Sequence, residues 1–327
     1  MNGFPQLRHD PIVDRQVLIA PERATRPMEL VAATAPRSAG KACPFCEGQE
    51  SQTPHEVFAI RRPGTQPDAP GWHVRVVSNM FPAARRDVTH ADAGEPGYGA
   101  HEVVIESPQH RTSLAELSSD AVRRVFEVFR ARVAHLSEDP RLQHVQVFKN
   151  HGIAAGASVE HVHSQILGVS QIPREPAAEL AGAAKYHGET GRCVYCDLIQ
   201  KERNAGVRWI AENDGAVAFA AYAGRFPYET WILPRTHSSS FADCDDAALT
   251  GVSELIHRLL RRLESLVSNV GYNLVLHAAP VHGGSRPDYH WHWELLPRTT
   301  GIAGFELSTG WFLNPLPPEE AAKQLRG

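Results

Sequence analysis

One order of cysteine and histidine residues occurs twice along the 327-residue chain, and this duplication limits the fold more than any other feature. Each copy has a C-x-x-C pair, then a lone histidine, then an H-x-H pair at similar spacing. The first copy uses Cys43, Cys46, His110, His161 and His163, and the second uses Cys193, Cys196, His237, His290 and His292. Self-similarity of this kind indicates a repeated structural unit. We therefore expect two related halves.

The residues around these motifs predict the same elements in each half. Strand-like segments follow the C-x-x-C pair, an amphipathic helix comes next, and two further strands follow, the last carrying the H-x-H pair. The helices are predicted at 121–136 and 245–267. This order is typical of an antiparallel α+β unit, so the prediction is an α+β protein with tandem repeats at 1–172 and 185–327. The Pro-, Ala- and Glu-rich segment 173–184 is predicted to be the linker.

Composition argues against several classes of protein. A net charge of −4 and a pI near 6.5 give no overall attraction to nucleic acid or to an anionic membrane. No apolar run approaches the roughly 18 residues that a membrane span needs, and the first residues lack the apolar core of a signal peptide. We expect a cytoplasmic protein that binds neither nucleic acid nor membrane. A zinc-ribbon-like nucleic-acid module is the alternative of another class, but the chain has no basic stripe interleaved with aromatics.

Four of the five cysteines form the two C-x-x-C pairs, which favours metal sites because disulfides are rare in a reducing compartment. Zinc takes thiolate and imidazole ligands in a tetrahedral shell. The predicted ligands are Cys43, Cys46, His110 and His161 in the first site, and Cys193, Cys196, His237 and His290 in the second. Four protein ligands leave no position for water, so both zinc ions are expected to be structural. The alternative is that one half has lost its metal.

The segment from Asn150 to Gln165 carries the candidate chemistry. If the last part of this segment is a strand, then His161, His163 and Gln165 lie on one face of it. With His161 bound to zinc, His163 is available to attack a nucleotide α-phosphorus. Gly156 lets backbone amides approach a phosphate closely, Ser158 adds a hydroxyl, and Gln165 can donate to phosphate oxygens.

This segment resembles the active-site stretch of the galactose-1-phosphate uridylyltransferases, a branch of the histidine triad superfamily, and the resemblance covers nearly the whole chain. It implies two histidine-triad-like repeats, with the second histidine of the H-x-H pair as the nucleophile. The matching residues are Asn150, Gly156, Ser158, His161, His163 and Gln165. By the same resemblance the substrate contacts are Arg23, Arg26, Asn79, Phe305 and Glu306, of which the last two face the hexose.

The resemblance implies UMP transfer between UDP-glucose and galactose-1-phosphate through a uridylyl-His163 intermediate, in a homodimer. The chain departs from the family pattern at Val162 and Ser164, where Pro and Gly are frequent, and at Thr300, which stands near a lysine of well-known members. A Ser-Gln ending also occurs in a sister group that phosphorolyses ADP-sugars. An ADP-sugar phosphorylase and a dinucleotide hydrolase that use the same histidine therefore stay open as alternatives.

Overall fold

The structure, a computed structural model, describes residues 5–25, 43–88 and 95–327. Its strands are, in chain order, β1 (Gln6–His9), β2 (Gln16–Ile19), β3 (Glu56–Arg61), β4 (Trp72–Ser78), β5 (Gly99–Ile105), β6 (His144–His151), β7 (His163–Val169), β8 (Trp209–Glu212), β9 (Ala216–Ala220), β10 (Thr230–Pro234), β11 (Tyr272–His277), β12 (His292–Pro297) and β13 (Phe312–Asn314). The helices are α1 (Ser119–Leu136), α2 (Arg174–Thr190), α3 (Val194–Ala205), α4 (Asp246–Leu266), α5 (Gly304–Thr309) and α6 (Pro318–Arg326). The α+β prediction is confirmed.

The large sheet shows the duplication directly. Its ten strands lie in the order β3-β4-β5-β7-β6-β11-β12-β10-β9-β8, and neighbouring strands pair antiparallel. Each half contributes five strands, and both halves arrange them in the same way. Counted from the edge of the sheet to its centre, they are the first, second, third, fifth and fourth sheet strands of that half. The halves meet where β6 pairs with β11, and Asn150 lies opposite Asn273 there. The central pair thus brings one residue of each repeat to the same point.

The two faces of the sheet have different coverings. Helices α1 and α4 pack together on one face, where Phe126 and Phe129 contact Trp293 of β12. Ile166 of β7 is fully buried in this core. Because side chains alternate along a strand, His163 and Gln165 point to the opposite face. The apolar core and the candidate site are therefore on opposite sides of one sheet.

The two core helices begin where a side chain caps the backbone. The Ser118 hydroxyl accepts from the Ala121 N–H, and the Asp245 carboxylate accepts from the Ala248 N–H. Both helices lie within two residues of the predicted bounds, since their apolar positions recur at helical spacing. None of the helices in the described ranges is long and apolar enough to cross a membrane.

The segment predicted to be a linker is instead part of α2. Pro173 stands at the N-cap, and the Ala- and Glu-rich composition that follows favours helix. Leu180 and Ala183 pack with residues of α3 and with Tyr289 in a second apolar cluster. This cluster also contains residues of the face that α1 and α4 leave open. Helices α2 and α3 therefore cover that face in the second half.

A three-stranded sheet joins the beginning and the end of the chain. Its order is β1-β2-β13, and β13 pairs in parallel with β2. Val17 and Ile19 of β2 are buried against Ala223 and Phe312. Helix α5 contacts β13. This small sheet positions the segment that was predicted to face the hexose.

Candidate active site

The residues predicted as the first metal site lie together. One ligand atom from each of Cys43, Cys46, His110 and His161 lies within 4.8 Å of the others. Nδ1 of His161 is 3.6 Å from Sγ of Cys43 and 3.7 Å from Sγ of Cys46, and Nδ1 of His110 is 3.6 Å from Sγ of Cys46. Tetrahedral zinc with ordinary bond lengths has ligand–ligand edges of about 3.6 Å. The group therefore fits a four-coordinate metal.

His161 differs from the prediction in one respect, because β7 begins at His163 and His161 precedes it. Only His163 and Gln165 share a face by strand alternation. The Nε2–H of His161 donates to the Ser107 carbonyl at 2.8 Å, which holds Nδ1 toward the two thiols. Burial lowers the pKa of His161 to about 4, so the ring is neutral and able to bind a metal.

The second predicted metal group has the same arrangement. Ligand atoms of Cys193, Cys196, His237 and His290 lie within 4.8 Å of one another. Sγ of Cys196 is 3.4 Å from Nδ1 of His237 and 3.7 Å from Nδ1 of His290. Burial lowers the pKa of His290 to about 3. The second group could therefore hold a metal in the same way as the first.

His163 is held as a neutral imidazole with one unblocked nitrogen. Its Nδ1 is 2.7 Å from the backbone carbonyl of His161, so Nδ1 carries the proton and donates, and Nε2 keeps its lone pair. Burial lowers the pKa of His163, and the nearby charge of Lys149 lowers it further. Phe45 lies edge-on to the ring at 5.5 Å. These are the properties of a nitrogen nucleophile.

A buried ion pair behind β7 holds the backbone of the candidate nucleophile. Nζ of Lys149 is 2.7 Å from Oε2 of Glu106 and donates to the His163 carbonyl at 2.8 Å. The Ser164 hydroxyl donates to Oε1 of Glu106 at 2.5 Å. Lys149 and Glu106 are almost entirely buried. No local sequence signal points to this pair, which forms because β5, β7 and β6 lie side by side in the sheet.

The glycine-rich segment folds as a tight turn between β6 and β7. Gly152 and Gly156 have φ of 76° and 87° and flank a short 3-10 helix. A side chain at Gly152 would lie 3.2 Å from the Cα of Gly271, so the turn also requires a close approach. Gly156 and Ser158 are exposed at this turn. The turn can present backbone N–H groups to a bound anion.

Asn150 is fixed by a residue of the other repeat. The Asn273 side-chain amide donates to Oδ1 of Asn150 at 2.8 Å and to the Ala155 carbonyl at 2.9 Å. Asn150 lies two residues after Phe148, which pairs with Gln165, so Asn150 and Gln165 share a face. With Oδ1 occupied, Asn150 presents its amide hydrogens. Asn273 was not predicted, because only the central strand pair brings it here.

Gln165 and Asn79 meet at His101 of β5. Oε1 of Gln165 is 2.8 Å from Nε2 of His101, and Nδ2 of Asn79 is 3.2 Å from the same nitrogen. Asn79, His101 and Arg132 are among the residues that line a cavity of about 320 Å³ at this end of the sheet. Asn79 thus contacts β5, the strand that pairs with β7, and its substrate contact stays a prediction.

The remaining predicted substrate residues belong to other segments of the chain. Arg23 is exposed in the short 3-10 helix Pro21–Thr25, and Arg26 is outside the described residues. Phe305 and Glu306 lie on α5, where Glu306 accepts from the Ala303 N–H at 3.0 Å. Within the described ranges, no hydrogen bond joins these side chains to His163. Their substrate contacts stay a prediction.

In the second half, the residue that corresponds to His163 is His292, and it is completely buried. His292 has no exposed surface, and its Nδ1 is 3.1 Å from the His290 carbonyl. The ring packs on Tyr195 of α3 at 4.9 Å, on Trp231 at 5.1 Å and on His277 at 4.8 Å. A substrate has no access to its Nε2.

Charged side chains fill the space beside His292. His277 lies between two carboxylates, with Nδ1 3.0 Å from Glu179 and Nε2 3.3 Å from Glu294. Burial opposes its charge, but these carboxylates raise the pKa of His277 to about 10. Arg225 also pairs with Glu294. Ligand atoms of Glu179, His277, His292 and Glu294 lie within 4.8 Å of one another. Nε2 of His292 and Oε1 of Glu294 are buried there without a hydrogen-bond partner among the described residues.

Two family models match the chain. The family model described as galactose-1-phosphate uridyl transferase, N-terminal domain, matches residues 2–173. A domain of unknown function, DUF4921, matches residues 99–326. The first match includes the complete His163 segment and the first metal group.

Individual relatives match over nearly the full length of the chain. ADP-glucose phosphorylase of Arabidopsis thaliana is 32% identical, and the match covers 99% of this chain and 93% of the relative. Galactose-1-phosphate uridylyltransferase of Thermotoga maritima is 24% identical over 98% of both chains. A crystal structure of an ADP-glucose phosphorylase from Arabidopsis thaliana with bound ADP-glucose superposes with a TM-score of 0.86, at 32% identity over 99% of both chains. The chain therefore belongs to the galactose-1-phosphate uridylyltransferase family of nucleotidyltransferases.

Proposed function

We propose that the protein moves a nucleoside monophosphate from a nucleotide-sugar to a second phosphate-bearing acceptor through a covalent intermediate on His163. The observation that carries this proposal is the state of the His163 ring. Its Nδ1–H donates to the His161 carbonyl, so the lone pair of Nε2 remains available. A nucleophile that is neutral without losing a proton needs no general base.

The reaction proceeds in two displacements. Nε2 of His163 attacks the α-phosphorus, a P–N bond forms, and the bond from this phosphorus to the β-phosphate oxygen breaks. The sugar-1-phosphate leaves. An oxygen of the acceptor phosphate then attacks the same phosphorus, and the P–N bond breaks. Dividing the transfer in this way replaces one difficult displacement by two easier ones.

The neighbouring groups stabilise the charge that develops on the phosphoryl oxygens. Gln165 and Asn150 share the face of His163, and the backbone of the Gly152–Gly156 turn lies next to them. Preorganised donors of this kind supply much of the catalysis in phosphoryl transfer, since positioning and electrostatics dominate that reaction. Ser158 is exposed two residues after this turn and adds a hydroxyl.

For the substrates we favour ADP-glucose with inorganic phosphate as acceptor, which yields glucose-1-phosphate and ADP. The support is the 32% identity over 99% of the chain to a plant ADP-glucose phosphorylase, and the likeness to its structure with bound ADP-glucose. The second candidate is UMP exchange between UDP-glucose and galactose-1-phosphate, which the sequence resemblance implies and the family match supports. Both use the same intermediate on His163.

Each chain is proposed to hold two structural zinc ions. The donor set of each group is two thiolates and two imidazoles, and their separations suit tetrahedral zinc. When bound, zinc would hold each C-x-x-C pair next to the first histidine of the H-x-H pair, which is His161 or His290. The protein's own contribution is the Ser107 carbonyl, which orients His161. A homodimer stays a prediction from the family resemblance.

Acceptor competition from a preformed adduct tests the proposal. The purified enzyme is mixed with ADP-glucose or with UDP-glucose, and intact mass spectrometry measures the added nucleoside monophosphate. The adduct is then divided among phosphate, galactose-1-phosphate and buffer alone. Release as ADP by phosphate supports the phosphorylase, release as UDP-galactose supports the uridylyltransferase, and equal release in buffer supports a hydrolase. Absence of an adduct with both donors would overturn the proposal.

A further inference from the structure

We propose that His101 is a positioning residue for this reaction, and that it fixes the orientation of the Gln165 side-chain amide. The inference rests on the proposed function, because it assigns Gln165 a role at the phosphoryl group. His101 lies on β5, next to β7, and its imidazole spans the gap between the Gln165 side chain and the segment after β4. It is partly buried and touches both through hydrogen bonds.

The tautomer of His101 follows from its two neighbours. The backbone N–H of Ala83 points at Nδ1 from 3.1 Å. A backbone amide nitrogen can only donate, so Nδ1 must be the accepting nitrogen and carries no proton. The ring proton is therefore on Nε2, and the ring is neutral. Nε2 then donates to the atom of Gln165 at 2.8 Å, which must be its oxygen.

This bond leaves Gln165 with only one way to face the site. A glutamine amide has an accepting end and a donating end of nearly equal size, and both orientations fit many pockets. Because His101 takes the Oε1 end, the NH₂ end is directed to the remaining surroundings. A phosphoryl oxygen needs a donor, so the fixed orientation is the productive one. Without His101, Gln165 would sample both.

Asn79 is fixed in the same sense by a separate contact. Its Oδ1 accepts from the Phe81 N–H at 2.8 Å, so its Nδ2 faces His101 at 3.2 Å. The single proton on Nε2 of His101 is used by Gln165, and Asn79 has no accepting nitrogen opposite it. The Asn79 amide hydrogens therefore stay available to a ligand. Asn79 and Gln165 both present donors around one histidine.

The second repeat has no histidine at the position of His101. Gln165 pairs with Val103 in the sheet and Glu294 pairs with Trp231, so Glu229 stands at the position of His101, two residues before the paired residue. Glu229 forms an ion pair with Arg225, which also pairs with Glu294. Glu294 replaces Gln165 there, and a carboxylate has no donating end to orient. The histidine is thus present only in the repeat whose amide must point in one direction.

Two substitutions separate the two bonds of His101. His101→Asn keeps an oxygen near the position of Nδ1 and can accept from Ala83, but it has no donor within reach of Gln165. His101→Gln places an amide N–H near the position of Nε2 and can donate to Gln165. His101→Phe removes both bonds, and His9→Phe on exposed strand β1 is the matched control for adding an aromatic ring.

The readout is the single-turnover rate of adduct formation on His163, together with the donor concentration at half-maximal rate. We expect His101→Phe and His101→Asn to slow adduct formation at saturation by at least about 10-fold, as for loss of a residue that orients a catalytic group. His101→Gln should recover most of the rate, and His9→Phe should match the wild type. A purely structural role would instead track the melting temperature and would spare the rate at saturation.

A double-mutant cycle with Gln165→Ala decides whether His101 acts through Gln165. If it does, adding His101→Phe to Gln165→Ala changes the adduct rate by less than about 2-fold. Multiplication of the two single effects would overturn the inference, and so would a wild-type rate in His101→Phe. If the wild-type enzyme forms no adduct with ADP-glucose or UDP-glucose, the proposed function fails, and this inference fails with it. An adduct with additive effects would remove only the role of His101.

Discussion

The two H-x-H strands have the same position in their repeats, but the surroundings of their second histidines differ. In β7, His163 is followed two residues later by Gln165, and this face is reached from an exposed glycine turn. In β12, His292 is followed by Glu294, and both side chains have no exposed surface. Each histidine uses Nδ1 in the same way, since it faces the carbonyl of the residue two positions earlier. The difference lies in what surrounds Nε2.

Neutral amide donors share the sheet face of one histidine, and ion pairs share the face of the other. The face of His163 carries the amides of Gln165 and Asn150. The corresponding face of His292 carries the ion pairs of His277 with Glu179 and Glu294, under a cover from α2 and α3. Amides can donate directly to a phosphate, whereas the charged side chains beside His292 are buried and engaged in ion pairs with each other. The comparison teaches that the duplicated fold keeps the histidine while its neighbours determine whether it can react.

The largest expected effect comes from exchanging the two histidines for asparagine. His163→Asn should lower the turnover rate by at least about 10³-fold and abolish the adduct, because it removes the nucleophile. His292→Asn should leave the rate per folded molecule within a few-fold of wild type. Steady-state kinetics and mass spectrometry of both variants measure this. An adduct that persists in His163→Asn and disappears in His292→Asn would reverse the assignment of the two repeats.

The two metal groups should respond alike to loss of a cysteine ligand, although the two histidines His163 and His292 respond differently to substitution. Metal analysis of the purified chain should find about two zinc ions. Cys43→Ser and Cys193→Ser should each lose one ion and several kcal/mol of stability, while Cys244→Ser should cost about 1 kcal/mol and lose no zinc. Cys244 is a suitable control because it is buried like Cys193 and belongs to neither metal group. Three equal melting temperatures with full zinc content would contradict the metal assignment.

Exchanging the residue after each histidine pair should separate rate from stability. Gln165→Glu places a negative charge where a donor faces the phosphoryl oxygens, so adduct formation should slow by about 10²-fold. Glu294→Gln should leave the adduct rate unchanged and should destabilise the fold by about 3 kcal/mol, because Arg225 and His277 lose a buried partner. Single-turnover kinetics and thermal unfolding of both variants give the answer. A slower adduct rate in Glu294→Gln would show that the two repeats are coupled.

The sequence predicted those features that depend on local pattern. The α+β class, the two core helices and the residues of both metal groups follow from spacing and periodicity, and the structure contains each of them. The prediction of two strands before each core helix was wrong, because β3 and β8 add a third strand at each edge of the sheet, and α2 and α3 were not predicted. Gly152 and Gly156 have the positive φ angles that a cradle needs. His163 and Gln165 share a face because strand alternation requires it.

The features that were missed depend on contacts between distant segments. Asn273 orients Asn150 only because the fourth strands of the two repeats pair at the centre of the sheet. His101 meets Gln165 across the β5–β7 pair. Glu179 lies in the segment predicted to be a linker, yet its helix brings it to His277. Composition alone gives no sign of which side chain a linker segment will bury.

The ion pairs of His277 give the last prediction, which concerns pH. The folded state holds the pKa of His277 at about 10, above its ordinary value near 6.5, so the folded protein binds one more proton than the unfolded chain between these values. The stability that this proton contributes is complete below pH 6.5 and is lost as the pH rises through about 10. Adduct formation should instead stay constant from pH 8 down to 6.5, because the pKa of His163 lies below its ordinary value and the ring is neutral there.

Comparing thermal unfolding of the wild type with His277→Gln between pH 6 and 10 isolates this proton. The wild type should lose more stability across the range than the variant, with a difference in melting temperature on the order of a few degrees. Glutamine can still donate to one carboxylate but cannot carry the charge. Parallel curves for the two proteins would mean that His277 is neutral at pH 7. The carboxylates of Glu179 and Glu294 would then have to be balanced by another cation, and His277 would not supply the charge that distinguishes the second repeat from the first.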